Sequence, residues 1–351
     1  MARPIFNLIQ SDAIGGGMEN IFLEYSKIVQ KNRAKIDADL ICIVSSNFCH
    51  LEALKKDNIK VEILNIKGHF DIFAAIKFYF LIKKYSPKLI IAHNGRGFAV
   101  VNLSKKLFKL KSFKTMAISH GGSLKRILGF DFIVAVAEHI RKRALDSGFR
   151  GISQTIYNGY KLTDFTKKNI SNDNFVFGTL SRLSPEKNVA GAIKMFKQFC
   201  DKITSNSLLI IAGEGNQKTE LKELVQDLHL AQKVKFIGWT KNQGEFFNQI
   251  NVFLQPALEE PFGITILESF NYQTPVIACN SFGPKEIIID GYSGYLFEKT
   301  DENSLFEAMK KAYKNKDNFP QIIQNAKEEL EKKFSYEIME DKLITTIKTA
   351  F

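Results

Sequence analysis

The sequence lacks the features that mark membrane-spanning and disulfide-stabilised proteins. Its 351 residues contain no run of about 18 apolar residues, so no transmembrane helix is expected. The N-terminal MARPIFNLIQSD is typical of a first strand and has no long apolar core, which predicts no signal peptide. Four cysteines form no CxxC pair and no metal-ligand spacing with histidine. Because Cys42 and Cys279 lie in strand-like runs, we expect buried free thiols in a reducing cytoplasm.

The positive charge is distributed unevenly. The formal net charge is +12, with 45% apolar and 25% charged residues, as in ordinary globular proteins. Residues 1–160 hold 25 Lys and Arg against 12 Asp and Glu, a net +13, whereas residues 161–351 hold 24 against 25, a net −1. This asymmetry predicts an anionic partner for the first half, either a nucleic acid or an acidic membrane surface.

Short apolar runs alternate with longer helical patterns along the whole chain. The strand candidates are Leu40–Ser46, Lys88–His93, Phe132–Ala137, Phe175–Leu180, Ser207–Gly213 and Val234–Gly238. The segment Val189–Cys200 has the i, i+3, i+4 spacing of a helix, so the pattern predicts parallel α/β layers. The chain length suits two domains, and a boundary is expected near Ile156–Phe165 and the polar stretch 166–174. We predict two Rossmann-like domains facing a central cleft, at residues 1–158 and 159–334, with a C-terminal helix at 335–351 that packs on the first.

Two loops have compositions that suit phosphate. SDAIGGGMEN places Gly15, Gly16 and Gly17 between the first strand and a helix, where backbone N–H groups can approach an anion. The spacing is not the dinucleotide fingerprint, and a plain turn is the alternative. In TLSRLSPEKN, Arg182 and Lys187 follow a strand and suit a diphosphate, with an exposed turn as the alternative. The bare G-x-G of AGEGN, residues 212–216, is weak evidence on its own.

The other candidate site residues are one histidine and several acids. His120 in AISHGGS directly follows a strand and is either a ligand contact or a structural residue. Asp37 and Asp39 form an Asp-x-Asp, which we interpret as a turn rather than a metal site. In EEPFGITILESF we predict a loop followed by a helix from about Thr265. If the eight residues were helical, Glu260 and Glu268 would lie about 12 Å apart, too far for the carboxyl pair of a retaining glycosidase, which needs about 5–5.5 Å. Glu259 is expected to be exposed.

Together these motifs resemble the retaining glycosyltransferases of family 4, which have the GT-B fold. The resemblance is strongest from Asn158 to Phe297: Glu260 and Glu268 match the E-x7-E element, and Arg182 and Lys187 match R-x4-K. Thr274–Phe297 is similar to the stretch that follows, and GGGME to the N-terminal glycine loop. The sequence departs from the family at Lys161, where an Asp is usual, at Gln273 and at Phe282, where Gly is usual.

The resemblance implies transfer of a sugar from a UDP- or GDP-sugar with retention at the anomeric carbon, without cofactor or metal. It implies that Arg182 and Lys187 stabilise the departing diphosphate, that Glu260 holds the sugar and that Glu268 holds the ribose. His120 would contact the sugar once the cleft closes. The backbone groups expected to face the diphosphate are those of Gly16, Gly17, Phe262, Gly263, Ile264 and Thr265.

The first domain is expected to take the acceptor, a glycan or lipid-linked molecule of surface polysaccharide or lipopolysaccharide synthesis. Within residues 69–114, the aromatic segment His69–Tyr85 and the basic segment Val101–Lys114, with Leu103, Leu107, Phe108 and Leu110, suit peripheral contact with an anionic inner membrane; ordinary helices packed on the sheet are the alternative. No nucleic acid is expected. Two other functions fit the sequence: a sugar-nucleotide epimerase of the same fold, and a non-catalytic binder of anionic ligands.

Overall fold

The computed structural model describes residues 3–12, 16–122, 124–167, 174–240, 242–301 and 303–351. Gly15 of the glycine loop and most of the polar stretch 166–174 therefore lie outside the described residues. The chain divides into two units, Met1–Gly159 with Tyr336–Phe351, and Tyr160–Ser335. The first unit has 27 Lys and Arg against 15 Asp and Glu, a net +12, and the second has 22 of each.

The first unit is built on a seven-stranded sheet. Its strands are β1 (Ile5–Leu8), β2 (Leu40–Val44), β3 (Lys60–Ile63), β4 (Leu89–Ala92), β5 (Lys114–Ser119), β6 (Phe132–Ala135) and β7 (Ile152–Thr155). They are parallel, in the order β3-β2-β1-β4-β5-β6-β7. Ile5 pairs with Leu40 on one side and Leu89 on the other. The central strands are wholly buried, because helices cover both faces.

The helices of the first unit connect these strands and include the C-terminal helix. They are α1 (Gly17–Lys31), α2 (Arg33–Ile36), α3 (Leu51–Lys56), α4 (Ile72–Tyr85), α5 (Gly95–Phe108), α6 (Glu138–Asp146) and, from the chain end, α14 (Tyr336–Thr349). Helix α14 contacts α1, where Glu340 accepts from Lys31 Nζ at 3.0 Å and from Asn32 Nδ2 at 2.8 Å. The hydroxyl of Thr346 donates to Gln154 at 2.6 Å.

The second unit repeats this architecture with six strands. They are β8 (Phe175–Leu180), β9 (Ser207–Ala212), β10 (Val234–Gly238), β11 (Val252–Gln255), β12 (Val276–Cys279) and β13 (Tyr295–Phe297). The order is β10-β9-β8-β11-β12-β13, again parallel. Its helices are α7 (Val189–Lys202), α8 (Lys218–Asp227), α9 (Gln243–Phe247), α10 (Ile264–Asn271), α11 (Pro284–Ile287), α12 (Ser304–Lys314) and α13 (Phe319–Lys333).

The strand order gives each sheet a topological switch point. The chain turns outward in opposite directions from β1 and β4 in the first unit, and from β8 and β11 in the second. In open parallel sheets, ligands bind in the crevice beyond the carboxyl ends of the strands at such a switch point. The predicted parallel α/β arrangement is confirmed, and so is the burial of the free thiols Cys42 and Cys279. No helix within the described ranges is long and apolar enough to cross a membrane.

Candidate functional site

At the switch point of the second unit, two predicted site residues form an ion pair. Lys187 ends the short 3-10 turn Pro185–Lys187 after β8, and Glu260 lies in the loop after β11. Lys187 Nζ donates to Glu260 Oε2 at 2.7 Å, and the side chains are only 20% and 13% exposed. The motifs predicted both residues for a donor site but not their contact. The pairing of β8 with β11 brings the two loops together.

Gln255 connects this pair to the next helix. It is the last residue of β11 and is buried. Its Nε2 donates to Thr265 Oγ1 at 3.0 Å and lies 3.4 Å from Glu260 Oε2, while its Oε1 has no hydrogen-bond partner among the described residues. Gln255 was not among the residues predicted from the sequence. The available signal was a polar residue at the carboxyl end of an otherwise apolar strand, VFLQ.

Arg182 lies on the same loop as Lys187 but does not join the buried network. Its side chain is 68% exposed, with Nη2 at 3.8 Å from Glu186 Oε1. The loop packs closely against the glycines of AGEGN. A Cβ at Gly213, whose φ is +142°, would lie 1.8 Å from the Ser181 oxygen, and a Cβ at Gly215 would lie 2.2 Å from the Leu183 oxygen. The bare G-x-G therefore has a packing role, since it allows close approach to the loop that carries Arg182.

Helix α10 begins one residue earlier than predicted. Gly263 is its N-cap with φ +108°, a left-handed conformation that favours glycine, and Ile264 is the first helical residue. Phe262 is buried, and a Cβ on Gly283 would lie 2.3 Å from its carbonyl oxygen. Of the segment between Glu260 and Glu268, only the part from Ile264 is helical, so the span of about 12 Å, which assumes helical rise throughout, does not describe it.

Glu268 is a buried carboxylate on α10. Gln243, the first residue of α9, donates from Nε2 to Glu268 Oε1 at 2.9 Å. The second oxygen, Oε2, is buried and has no partner in the part of the chain that the structure describes. Burial raises the pKa of Glu268 to about 7, although the bond from Gln243 opposes the shift. Gln243 was not predicted, because nothing in its local sequence marks it as a contact of Glu268.

In the first unit, His120 stacks on a second histidine. His120 follows β5 and His93 follows β4; their ring centroids are 5.8 Å apart at 26°. His93 Nε2 hydrogen-bonds Asn7 Oδ1 at 2.9 Å. Burial lowers the pKa of His120 to about 4, while burial and the neighbouring His120 lower the pKa of His93. Both rings are therefore neutral at pH 7. His93 was not predicted as a site residue, although it is a polar residue that ends the apolar run KLIIAH.

The glycine loop has a carboxylate beside it. Gly16 is the N-cap of α1 in extended conformation, and Gly17 is the first helical residue. Glu19 is buried, accepts from the Ser11 hydroxyl, and its Oε2 would lie 2.6 Å from a Cβ at Gly16. An acidic side chain thus lies at the helix start where the sequence predicted a diphosphate.

Asp37, Asp39 and Glu259 are turn and surface residues, as predicted. Asp37 is exposed, ends α2 and has a left-handed φ of +46°, and Asp39 is exposed directly before β2. Glu259 is exposed and forms an ion pair with Lys299. These three carboxylates are therefore separate from the network around Lys187.

Comparison with known proteins finds glycosyltransferases similar to the second unit. Residues 161–329 match the family described as glycosyl transferases group 1. The matched residues lie within the second unit, Tyr160–Ser335, and make up less than half of the chain. An uncharacterized glycosyltransferase, MJ1059, of Methanocaldococcus jannaschii is 26% identical over 242 residues, 59% of each chain. The capsular polysaccharide biosynthesis glycosyltransferase CapM of Staphylococcus aureus is 30% identical over 181 residues, 51% of this chain and 47% of CapM.

Solved structures extend the likeness beyond the matched residues to the fold of the whole chain. The crystal structure of Anabaena Alr3699/HepE in complex with UDP and glucose covers 99% of this chain and 100% of that one, with a TM-score of 0.83 and 18% identity. The expected fold class, two Rossmann-like domains of the GT-B type, is confirmed. The chain spans about half the length of the curated relatives that it matches.

Proposed function

We propose that the protein is a glycosyltransferase that moves a sugar from a nucleoside-diphosphate sugar to an acceptor with retention at the anomeric carbon. The observation that carries this proposal is the buried network at the switch point of the second unit, in which Lys187 pairs with Glu260 beside the start of α10. The likeness to HepE, which was crystallised with UDP and glucose, supports a nucleotide-sugar donor.

Each group in the network has a chemical role in this proposal. The bond between the anomeric carbon and the diphosphate oxygen breaks, so negative charge develops on the leaving group, where fixed donors contribute most. We assign its stabilisation to Lys187, Arg182 and the backbone N–H groups at the start of α10, with those of Gly16 and Gly17 in the first unit. The leaving phosphate takes the acceptor proton. Glu260 holds the sugar hydroxyls, Glu268 Oε2 accepts from the ribose, and His120 is a neutral hydrogen-bonding group for the sugar.

The acceptor is proposed to be a glycan or lipid-linked molecule of surface polysaccharide or lipopolysaccharide synthesis. CapM, the relative that acts in capsular polysaccharide biosynthesis, supports this class. The net +12 of the first unit suits a phosphorylated or membrane-held acceptor. We place the protein in the cytoplasm, in peripheral contact with the membrane through residues 69–114.

The test is a thermal-shift screen of UDP- and GDP-sugars, followed by incubation with the stabilising donor. A cognate donor is expected to raise the melting temperature, because it binds the folded state. With a polysaccharide-type acceptor, NMR of the product should show the donor's anomeric configuration. An isomerised free sugar nucleotide would instead establish an epimerase, and no stabilisation by any donor would contradict the proposal.

Turnover is expected to be largely insensitive to EDTA. In the proposed mechanism, Lys187 and Arg182 neutralise the charge of the diphosphate, and no metal ion is needed for this. The measurement is the initial rate of sugar transfer with the identified donor, before and after EDTA treatment and with Mn²⁺ restored. Loss of activity with EDTA and its recovery with Mn²⁺ would contradict the assignment of the two cations.

A further inference from the structure

The outer face of helix α4 carries large apolar side chains in contact with solvent. Phe73 is 81% exposed and Phe80 63%, with the exposed Ile76 between them. Since a helix has 3.6 residues per turn, positions 73, 76 and 80 lie on one side. Directly before this row, Phe70 is 88% exposed and Ile72 is also exposed. We call these five residues the α4 apolar face.

The α4 apolar face is presented by a fixed helix. On the opposite side Ala75, Phe78 and Ile82 are buried. Helix α5 packs beside α4, with the Ser104 hydroxyl donating to the Ala75 oxygen at 3.1 Å. Asp71 anchors the N-terminal end, because its Oδ1 accepts from Ala74 N at 2.9 Å and its Oδ2 from Lys67 N at 3.0 Å.

This arrangement differs from the one expected for the basic segment Val101–Lys114. Phe108 stacks on Tyr79 at 4.2 Å, and Leu103 and Leu110 are half-buried; of the four apolar residues expected to contact lipid, Leu107 alone is exposed. Within residues 69–114, the exposed apolar area therefore belongs mainly to α4 and the residues directly before it.

The charged residues in the chain around the α4 apolar face are almost all cationic. Residues 62–130 contain 13 Lys and Arg and two acidic residues, Asp71 and Glu62, of which Glu62 accepts from Lys84 Nζ at 3.2 Å. The carboxylate of Asp71 is engaged with backbone N–H groups. Lys67 and Lys77 are exposed near the α4 apolar face. Two copies of this surface would bring like charges together, so the charge favours an anionic partner over a second copy of the chain.

We propose that the α4 apolar face docks on an anionic membrane. Phe70, Phe73 and Phe80 insert at the boundary of headgroups and acyl chains, and Lys67 and Lys77 contact the headgroups. This inference names the surface for the membrane contact proposed above, and it does not rest on the sugar-transfer chemistry.

The experiment is co-flotation of the full chain, without donor, with vesicles of phosphatidylcholine alone or with 30% phosphatidylglycerol, in low and high salt. Wild type is expected to bind the anionic vesicles in a salt-sensitive way. Phe70→Ser/Phe73→Ser should weaken the partition at least about tenfold, and Lys67→Glu/Lys77→Glu should reduce the preference for phosphatidylglycerol. The matched controls, Ile152→Ser/Ile289→Ser and Lys222→Glu/Lys235→Glu, change exposed residues elsewhere and should bind like wild type.

Circular dichroism melts of each variant establish that the fold is retained, and sedimentation velocity without vesicles reports self-association. Absence of wild-type binding to anionic vesicles overturns the proposal. So does equal weakening by the control variants. A change of oligomeric state in Phe70→Ser/Phe73→Ser with unchanged vesicle binding would make this face a contact between copies. Because no turnover is measured, these outcomes are independent of whether the protein transfers sugar.

Discussion

Replacement of Glu268 by glutamine is expected to stabilise the free protein at pH 8. Burial raises the pKa of this carboxyl from 4.5 to about 7, so the native state holds the proton more tightly than the unfolded state. The free energy of unfolding therefore falls as pH rises from about 4.5 to about 7, by about 3 kcal/mol in all at ~1.4 kcal/mol per pKa unit. Glutamine carries no charge and avoids this loss. Thermal melts at pH 5 and pH 8 should show a stabilisation of several degrees that appears only at the higher pH.

The same substitution is expected to weaken donor binding. An ionised carboxylate accepts from hydroxyl groups more strongly than an amide does, by roughly 1–2 kcal/mol, so the donor KM should rise about five- to thirtyfold at pH 8 with a smaller change in kcat. Wild-type KM should rise below pH 7 as Glu268 is protonated, whereas the variant should show little of this dependence. Glu259→Gln, an exposed acid in the preceding loop, is the control. A melting temperature unchanged at pH 8 would show that Glu268 carries no buried charge there.

The central strands could be predicted from the sequence because both faces of each sheet are covered there. Phe175–Leu180 is a buried run, and the structure has it with the same bounds. The edge strand Val234–Gly238 also has the predicted bounds, although it includes the exposed Lys235. The site loops also follow from local pattern, since they come directly after these strands. What the sequence could not show is which side chains meet across loops: Lys187 and Glu260 are 73 residues apart and meet through the pairing of β8 with β11.

The same limit applies to Gln243, His93 and the α4 apolar face. Gln243 reaches Glu268 from another helix, and His93 reaches His120 from the neighbouring strand. Helix α4 is apolar around most of its circumference, so periodicity does not distinguish the face that packs on the protein from the face in solvent. Packing against α5 and the sheet makes that choice, and it leaves Phe73 and Phe80 outside.

Replacement of Lys187 by methionine is expected to lower kcat by about 10²–10³-fold, the range for loss of one fixed donor to a developing negative charge. Donor KM should change less, because the interaction strengthens as the diphosphate departs. The substitution also leaves the half-buried Glu260 without its cation, at a cost of about 1–3 kcal/mol in the free energy of unfolding. Steady-state kinetics and thermal melts measure the two effects separately.

The double variant Lys187→Met/Glu260→Gln separates chemistry from stability. Removing both charges should restore most of the lost melting temperature, because no uncompensated carboxylate remains. It should not restore kcat, because the leaving diphosphate still lacks its cation. Lys197→Ala breaks an exposed ion pair with Asp201 on α7 and should leave kcat unchanged. If the double variant recovered activity together with stability, Lys187 would be a structural partner of Glu260 and not a contact of the leaving group.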